Sequence, residues 1–184
     1  MTKVTDWRDF WDRNALHENP LIANDFPTIG VATYRRMCVA VSRLLRLEQS
    51  DNVLNIGCGA GQFEAFVQNR VRSIVAFDFS SNMIQKAKSL NPNHQQAFFV
   101  QGDCTQLPFA DDTFSKLLVF SVTHYLNRHQ LREMLNEALR VLEPGGLFLI
   151  GDIREASLGH MRFAKKLTHI YRQEGLKFYS SAPV

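Results

Sequence analysis

At 184 residues, 45% hydrophobic and 21% charged, the chain is long enough for one globular domain with a sizeable core. Its formal net charge of +3 comes from scattered Lys and Arg, with only short pairs such as Arg35-Arg36 and Lys165-Lys166, which argues against the dense basic stripe of a nucleic-acid binder. Cys38, Cys58 and Cys104 match no zinc or redox spacing, and no apolar run approaches the roughly 18 residues of a membrane span, so the composition points to a reduced, cytoplasmic protein.

The N-terminus, Met1 to Asp6, turns polar at once and does not read as a signal peptide. Thr5 is a candidate cap for a helix starting at Asp6, and Trp7, Phe10 and Trp11 then share one face. That face either docks on the core or forms a lid over a ligand pocket, where aromatic rings exclude water and suit a cation. His17 to Gly30 contains Asn19-Pro20 and Phe26-Pro27 and reads as an irregular connection. Val31 to Leu47 follows the 3.6-residue period of an amphipathic helix, with Arg35, Arg36, Arg43 and Arg46 between its apolar positions.

Val53 to Ile56 reads as a buried strand. Gly57, Gly59 and Gly61 follow at alternate positions, and a helix starts near Gln62. A sharp strand-to-helix turn needs residues that accept positive φ, and glycines let backbone N–H groups approach a ligand. A tight turn without a ligand is the plain alternative. The spacing is G-x-G-x-G. It lacks the third glycine of the dinucleotide fingerprint, whose place Gln62 holds, and it lacks the Lys-Ser/Thr of a P-loop.

Ser73 to Phe77 is the second strand, with Asp78 at its carboxyl end. In doubly wound folds an acidic residue there accepts hydrogen bonds from ribose hydroxyls; otherwise it caps the next helix, which Ser80 or Ser81 caps as well. Met83 to Leu90 forms a helix that Asn91-Pro92-Asn93 ends, and Ala97 to Gln101 is the third strand. Gly102-Asp103-Cys104-Thr105-Gln106-Leu107-Pro108-Phe109 follows. Ser115 to Ser121 is the fourth strand, with His124 and Tyr125 beyond its carboxyl end, on the edge that faces the ligand crevice in such folds. His129 to Leu142 is an amphipathic helix that Glu143-Pro144-Gly145-Gly146 stops, and Leu147 to Ile150 is the fifth strand. Beyond Ile153 the pattern thins: Met161 to Tyr171 reads as helix and Leu176 to Tyr179 as a short strand. Alternating strands and helices argue for an α/β fold with a parallel sheet.

Four segments stand in order: Asn55 to Gly61, Asp78, Gly102 to Phe109, and Arg140 to Gly146. Together they resemble class I S-adenosylmethionine (SAM)-dependent methyltransferases, most closely the broad bacterial group of quinone and small-molecule methyltransferases. The resemblance implies a doubly wound, mainly parallel Rossmann-like sheet. It divides the chain into acceptor or lid helices over 1–50, a SAM-binding core over 51–152 and a C-terminal part over 153–184. That part is too short for the last helix and antiparallel strand pair of the family, which points to a chain cut before its last strands or to a reduced sheet.

The resemblance also implies that the residue at Asp103 holds the adenine amino group and that the backbone N–H of Cys104 meets a ring nitrogen. A carboxylate acceptor matches that donor; an Asx-turn is the alternative. The cofactor-binding candidates are Asn55, Gly57, Cys58, Gly59, Gly61, Asp78, Phe79, Asp103, Cys104 and Ser121. Asn55 departs from the family, which usually carries Asp or Glu there; it keeps a hydrogen-bonding amide and removes a charge near the methionyl ammonium.

The implied activity is methyl transfer from SAM to a small-molecule acceptor, leaving S-adenosylhomocysteine. Proximity and alignment carry such a displacement, with a general base needed only for an acceptor that must lose a proton early. His124, Tyr125 and Asp152 are the candidates for that base, each with a structural alternative. No metal cluster is visible, and the Asn-Pro-Pro-Tyr and Pro-Cys motifs of DNA methylation are absent. A non-catalytic or truncated SAM-binding domain within a larger assembly is the competing reading, and an NAD-dependent oxidoreductase, against which Gln62 argues, is a third. The acceptor is not encoded in these motifs, because acceptor pockets are built from variable helices and loops.

Overall fold

The computed structural model describes residues 7–93, 95–151 and 177–178. Three helices lead the chain: α1 (Trp7–Asn14), α2 (Pro20–Ala23) and α3 (Val31–Leu44). Strands and helices then alternate as β1 (Asn52–Ile56), α4 (Gln62–Val67), β2 (Ser73–Asp78), α5 (Ser81–Leu90), β3 (Ala97–Gln101), β4 (Phe114–Phe120), α6 (Arg128–Val141) and β5 (Leu142–Gly151). A two-residue strand, β6 (Lys177–Phe178), adds to the edge. The sheet order is β3-β2-β1-β4-β5-β6, and every pairing is parallel. The order reverses between β1 and β4, so a crevice opens beyond the carboxyl ends of those strands.

Strand alternation divides the core between the two faces of the sheet. Val53, Ile74, Ala76 and Leu118 pack with Cys38 and Val41 of α3, Phe63 and Val67 of α4, and Ile84 and Ala87 of α5. Leu54, Ile56, Phe77, Leu117 and Val119 pack on the other side with Leu131, Met134, Leu135, Ala138 and Val141 of α6. Each fully buried Leu, Ile, Val or Phe contributes about 1.5–3 kcal/mol. The same alternation puts Asn55 on the Val53 face, toward α4.

Local signals account for most boundaries. The Ser80 side chain accepts from the Met83 amide at 3.1 Å and caps α5, as its sequence position suggests. Asn127 and Gln130 form a capping box that starts α6. Several ends shift by one to three residues, as at α3, which stops at Leu44 rather than Leu47, and two segments differ in kind from the sequence reading. The stretch His17 to Gly30 is not wholly irregular: the Asn19 side chain caps α2, with Pro20 preset at its first position. β5 starts at Leu142, directly after α6, because Leu142 already pairs with Phe114; Glu143 to Gly146 bulge out before the ladder resumes at Leu147 opposite Lys116. The Leu176–Tyr179 segment contributes Lys177–Phe178 as strand, while Thr5, Asp6 and the helix over Met161 to Tyr171 lie outside the described residues. No described helix is long and apolar enough to cross a membrane.

Candidate functional site at the sheet switch point

The turn from β1 to α4 is built on three left-handed glycines, Gly57 (φ 78°), Gly59 (φ 53°) and Gly61 (φ 73°). Every amide from Gly57 to Gly61 is already bonded within the chain. Gly57 and Cys58 donate to the Phe77 carbonyl at 2.7 and 3.1 Å, and Gly61 donates to the Cys58 carbonyl at 3.2 Å. Gly59 donates to Asp78 Oδ2 at 2.9 Å and Ala60 to Asn24 Oδ1 at 2.8 Å. The turn therefore shapes the crevice wall with its amides bonded within the chain.

Asp78 sits in the crevice wall, 6% exposed. Its Oδ1 accepts from the Ser80 amide at 3.0 Å. Burial pushes its carboxyl up to about 6, against the pull of these backbone amides. Across the crevice, Asp103 Oδ1 accepts from the amide and hydroxyl of Thr105 at 2.9 and 2.8 Å. Its Oδ2 has no partner among the described residues. The segment behind Asp103 is clamped by Arg140, which donates to the carbonyls of Leu107 and Phe109 at 3.0 and 2.8 Å and pairs with Glu137 and Asp111.

The crevice is roofed by aromatic rings. Trp7 and Trp11 of α1 meet Tyr125 edge-on at 4.7 and 5.3 Å between centroids. Arg8 lies over the Phe79 ring at 5.8 Å. α1 is held on α5 by Asp12, which accepts from the Ser80 hydroxyl and from Asn82. Ser121, at the end of β4, takes a left-handed φ of 58° in the crevice wall, a conformation that non-glycine residues adopt mainly where surrounding structure imposes it.

Of the sequence candidates, Asn55, Gly57, Cys58, Gly59, Asp78, Phe79, Asp103, Cys104, Ser121 and Tyr125 line this crevice together. Gly61 and His124 are not among its lining residues. Gly61 is a packing position: a Cβ there would meet Ala87 Cβ of α5 at 2.8 Å. His124 lies in the 3₁₀ turn Thr123–Tyr125 with its ring 4.0 Å from that of Tyr125. Asp152 lies outside the described residues. Burial holds the Cys58 thiol well above its ordinary value and pushes Cys104 up to about 12, so neither is a thiolate nucleophile at neutral pH.

Two residues that sequence reading passed over complete the site, Asn24 in the wall and Glu64 behind it. Asn24 follows α2 and also donates from Nδ2 to Gln62 Oε1; the Asn19-Pro20 start of α2 was the available signal. Glu64, fully buried on α4, accepts from Asn55 Nδ2 at 2.7 Å. No periodicity marks it, because a carboxylate in a first helical turn usually faces solvent.

Comparison with known proteins agrees with this geometry. The chain is 31% identical over 156 residues to a malonyl-[acyl-carrier protein] O-methyltransferase of Erwinia pyrifoliae, covering 83% of this chain and 56% of that protein. It is 29% identical over 143 residues to a demethylmenaquinone methyltransferase of Renibacterium salmoninarum, covering 77% and 56%. The chain spans about half the length of the curated relatives it matches. Among solved structures, the N-methyltransferase NodS of Bradyrhizobium japonicum, in complex with S-adenosyl-L-homocysteine, shares the fold at 20% identity. Its TM-score is 0.73 over 92% of this chain and 86% of that one. The family model described as a methyltransferase domain matches residues 53–146, just over half of the 184-residue chain. The chain belongs to this methyltransferase-domain family.

Proposed function

We propose that the chain binds SAM at the switch point and directs its methyl group to a small-molecule acceptor. The observation that carries this reading is Asp78: a buried carboxylate ends β2 at the crevice, where its two oxygens accept the Gly59 and Ser80 amides. An ionised carboxylate has about four acceptor sites, so acceptor capacity remains for the ribose. Asp103, Cys104 and Phe79 line the same crevice, which supports Asp103 as the acceptor for an adenine amino group. The bonded amides of Gly57 to Gly61 disfavour a dinucleotide, whose pyrophosphate needs free donors.

When bound, SAM supplies an electrophilic methyl group on a sulfonium centre. The chain's own part is orientation and exclusion of water. The helices within 1–50 provide the lid and acceptor wall through Trp7, Trp11 and Tyr34, and the core over 51–152 holds the cofactor. That wall is apolar and aromatic and suits an apolar acceptor. The relatives named for demethylmenaquinone and malonyl-[acyl-carrier protein] support a small organic methyl acceptor over nucleic acid. Of the candidate bases among the described residues, Tyr125 lines the crevice, and as the phenolate it would take the acceptor's proton. Tyr125→Phe then lowers kcat by at least about tenfold with the SAM KM unchanged; an unchanged kcat makes Tyr125 a wall residue only. Three free thiols, with no disulfide among the described residues, support a reducing, cytoplasmic setting.

The test is calorimetry of SAM and S-adenosylhomocysteine against the chain and Asp78→Ala, with NAD as control. SAM binding that the substitution weakens by about 1–3 kcal/mol supports the reading. Folded protein that binds no SAM overturns it.

A further inference from the structure

Asn55 lines the crevice, and Glu64 lies behind it. Glu64 is fully buried, and its second oxygen, Oε2, has no hydrogen-bond partner among the described residues. A buried carboxylate with a single side-chain donor is costly to keep, and among the described residues no lysine or arginine pairs with it. The groups that face it are Asn55 from β1, Cys58 from the glycine turn, Asp78 from β2, and Tyr34 and Cys38 from α3. Burial holds Tyr34, Cys38 and Cys58 protonated, which leaves Asp78 in the crevice wall and Glu64 behind it as the carboxylates of this cluster; Arg8, which also lines the crevice, lies over the Phe79 ring. Because Asn55 Nδ2 is committed to Glu64, Asn55 Oδ1 is the end left to accept, and it has no partner among the described residues.

We infer that Asn55 and Glu64 form one recognition unit for the primary ammonium group of the cofactor's amino-acid tail. Asn55 supplies the contacting oxygen, and Glu64 supplies the opposing charge from one layer behind. Glu64 is thus a positioning residue: it fixes the Asn55 amide with its oxygen toward the crevice and biases the site for a cation. The assignment rests on the SAM reading above.

The probes are S-adenosylhomocysteine and 5′-methylthioadenosine, which share the adenosine and thioether and differ in the amino-acid tail. Calorimetry on the full chain gives the ratio of their affinities. Glu64→Gln lowers S-adenosylhomocysteine affinity by about tenfold or more and leaves methylthioadenosine unchanged. A variant that keeps the S-adenosylhomocysteine preference overturns the inference. The exchange variant Asn55→Asp/Glu64→Gln moves the charge to the contacting position and restores the preference. If Glu64→Gln binds neither probe, the exchange variant decides: restored preference supports the unit, and binding of methylthioadenosine alone overturns it.

The wild-type chain provides a check that needs no substitution. Burial raises Glu64 to about 7, so the preference for the ammonium-bearing ligand falls between about pH 8 and about pH 6 as Glu64 takes up a proton. Asp78 also titrates near this range, but both probes carry the ribose, so its contribution cancels in the ratio. A ratio that stays flat overturns the unit. If the wild-type chain binds neither probe, the cofactor reading itself has failed.

Discussion

Asn24 Oδ1 accepts the Ala60 amide at 2.8 Å, so a residue of the N-terminal helical segment closes the glycine turn from outside the βα core. Ala60 is fully buried, and its N–H has no water to turn to. Asn24→Ala leaves that donor unsatisfied and costs about 1–3 kcal/mol in urea unfolding. Asn24→Asp keeps the acceptor, and Gln62 can rotate its amide to donate, so its loss is smaller. Equal losses for the two variants would show that the Ala60 bond is not the source of the effect.

Two buried carboxylates make stability depend on pH in the unusual direction. Glu64 is raised from 4.5 to about 7 and Asp78 from 3.8 to about 6, both mainly by desolvation. The folded chain therefore holds these protons at pH values where the unfolded chain has released them. Stability falls as pH rises from the unfolded values through the folded ones, and above about pH 7 the full penalty is present. Glu64→Gln removes its share. The variant is expected to be more stable than wild type by about 1–3 kcal/mol at pH 8 and nearly equal to it at pH 5. Thermal melts at both pH values check this; the same difference at both would rule out titration of Glu64 as the cause.

The parts legible in sequence are those with local causes. Val53 to Ile56 followed by alternate glycines gives a strand, a turn and a helix. Asp78 and Asp103 each fall at the next strand end, because one βα unit separates them. The Asn55–Glu64 pair was not legible: Asn55 reads as the loss of a charge, and only the packing of α4 on β1 shows the charge buried beside it. Asn24 was hidden for the same reason, since its partner Ala60 lies far along the chain. His124 and Tyr125 are adjacent in sequence, yet the 3₁₀ turn gives only Tyr125 to the crevice lining. Rotation within one short turn decides that difference, and residue type carries no signal for it.

Gly57 is constrained twice. Its φ of 78° lies in the left-handed region, and a Cβ there would collide with Val122 Cγ2, which packs over the turn from beyond β4. Gly57→Ala therefore combines backbone strain with overpacking, each on the order of 1–3 kcal/mol. Gly57→Ala/Val122→Ala removes the collision and recovers only part of the loss, because the backbone strain remains. Full recovery in the double variant would show that the φ strain is negligible.

Arg140 fastens the segment that carries Asp103 to α6. Its guanidinium pairs with Glu137 through Nε and Nη2, both at 2.8 Å, and reaches the carbonyls of Leu107 and Phe109. Glu137 Oε2 completes the clamp by accepting the Leu107 amide at 2.7 Å. A lysine cannot reproduce this fork, so Arg140→Lys is expected to cost about 1–2 kcal/mol, part of the gain being screened because the pair is partly exposed. Asp111→Ala is nearly silent, since the Asp111 side chain is 72% exposed. The Arg140 bond also lowers the Glu137 carboxyl below 4.5. That contribution is present above the unfolded value and is lost as pH falls through the folded one. Acid unfolding of Arg140→Lys should therefore lack this component, and its affinity for methylthioadenosine should drop as the Asp103 segment loosens. An Arg140→Lys chain with wild-type acid stability and ligand affinity would show that the segment is held by its apolar contacts, Leu107 and Phe109, without the clamp.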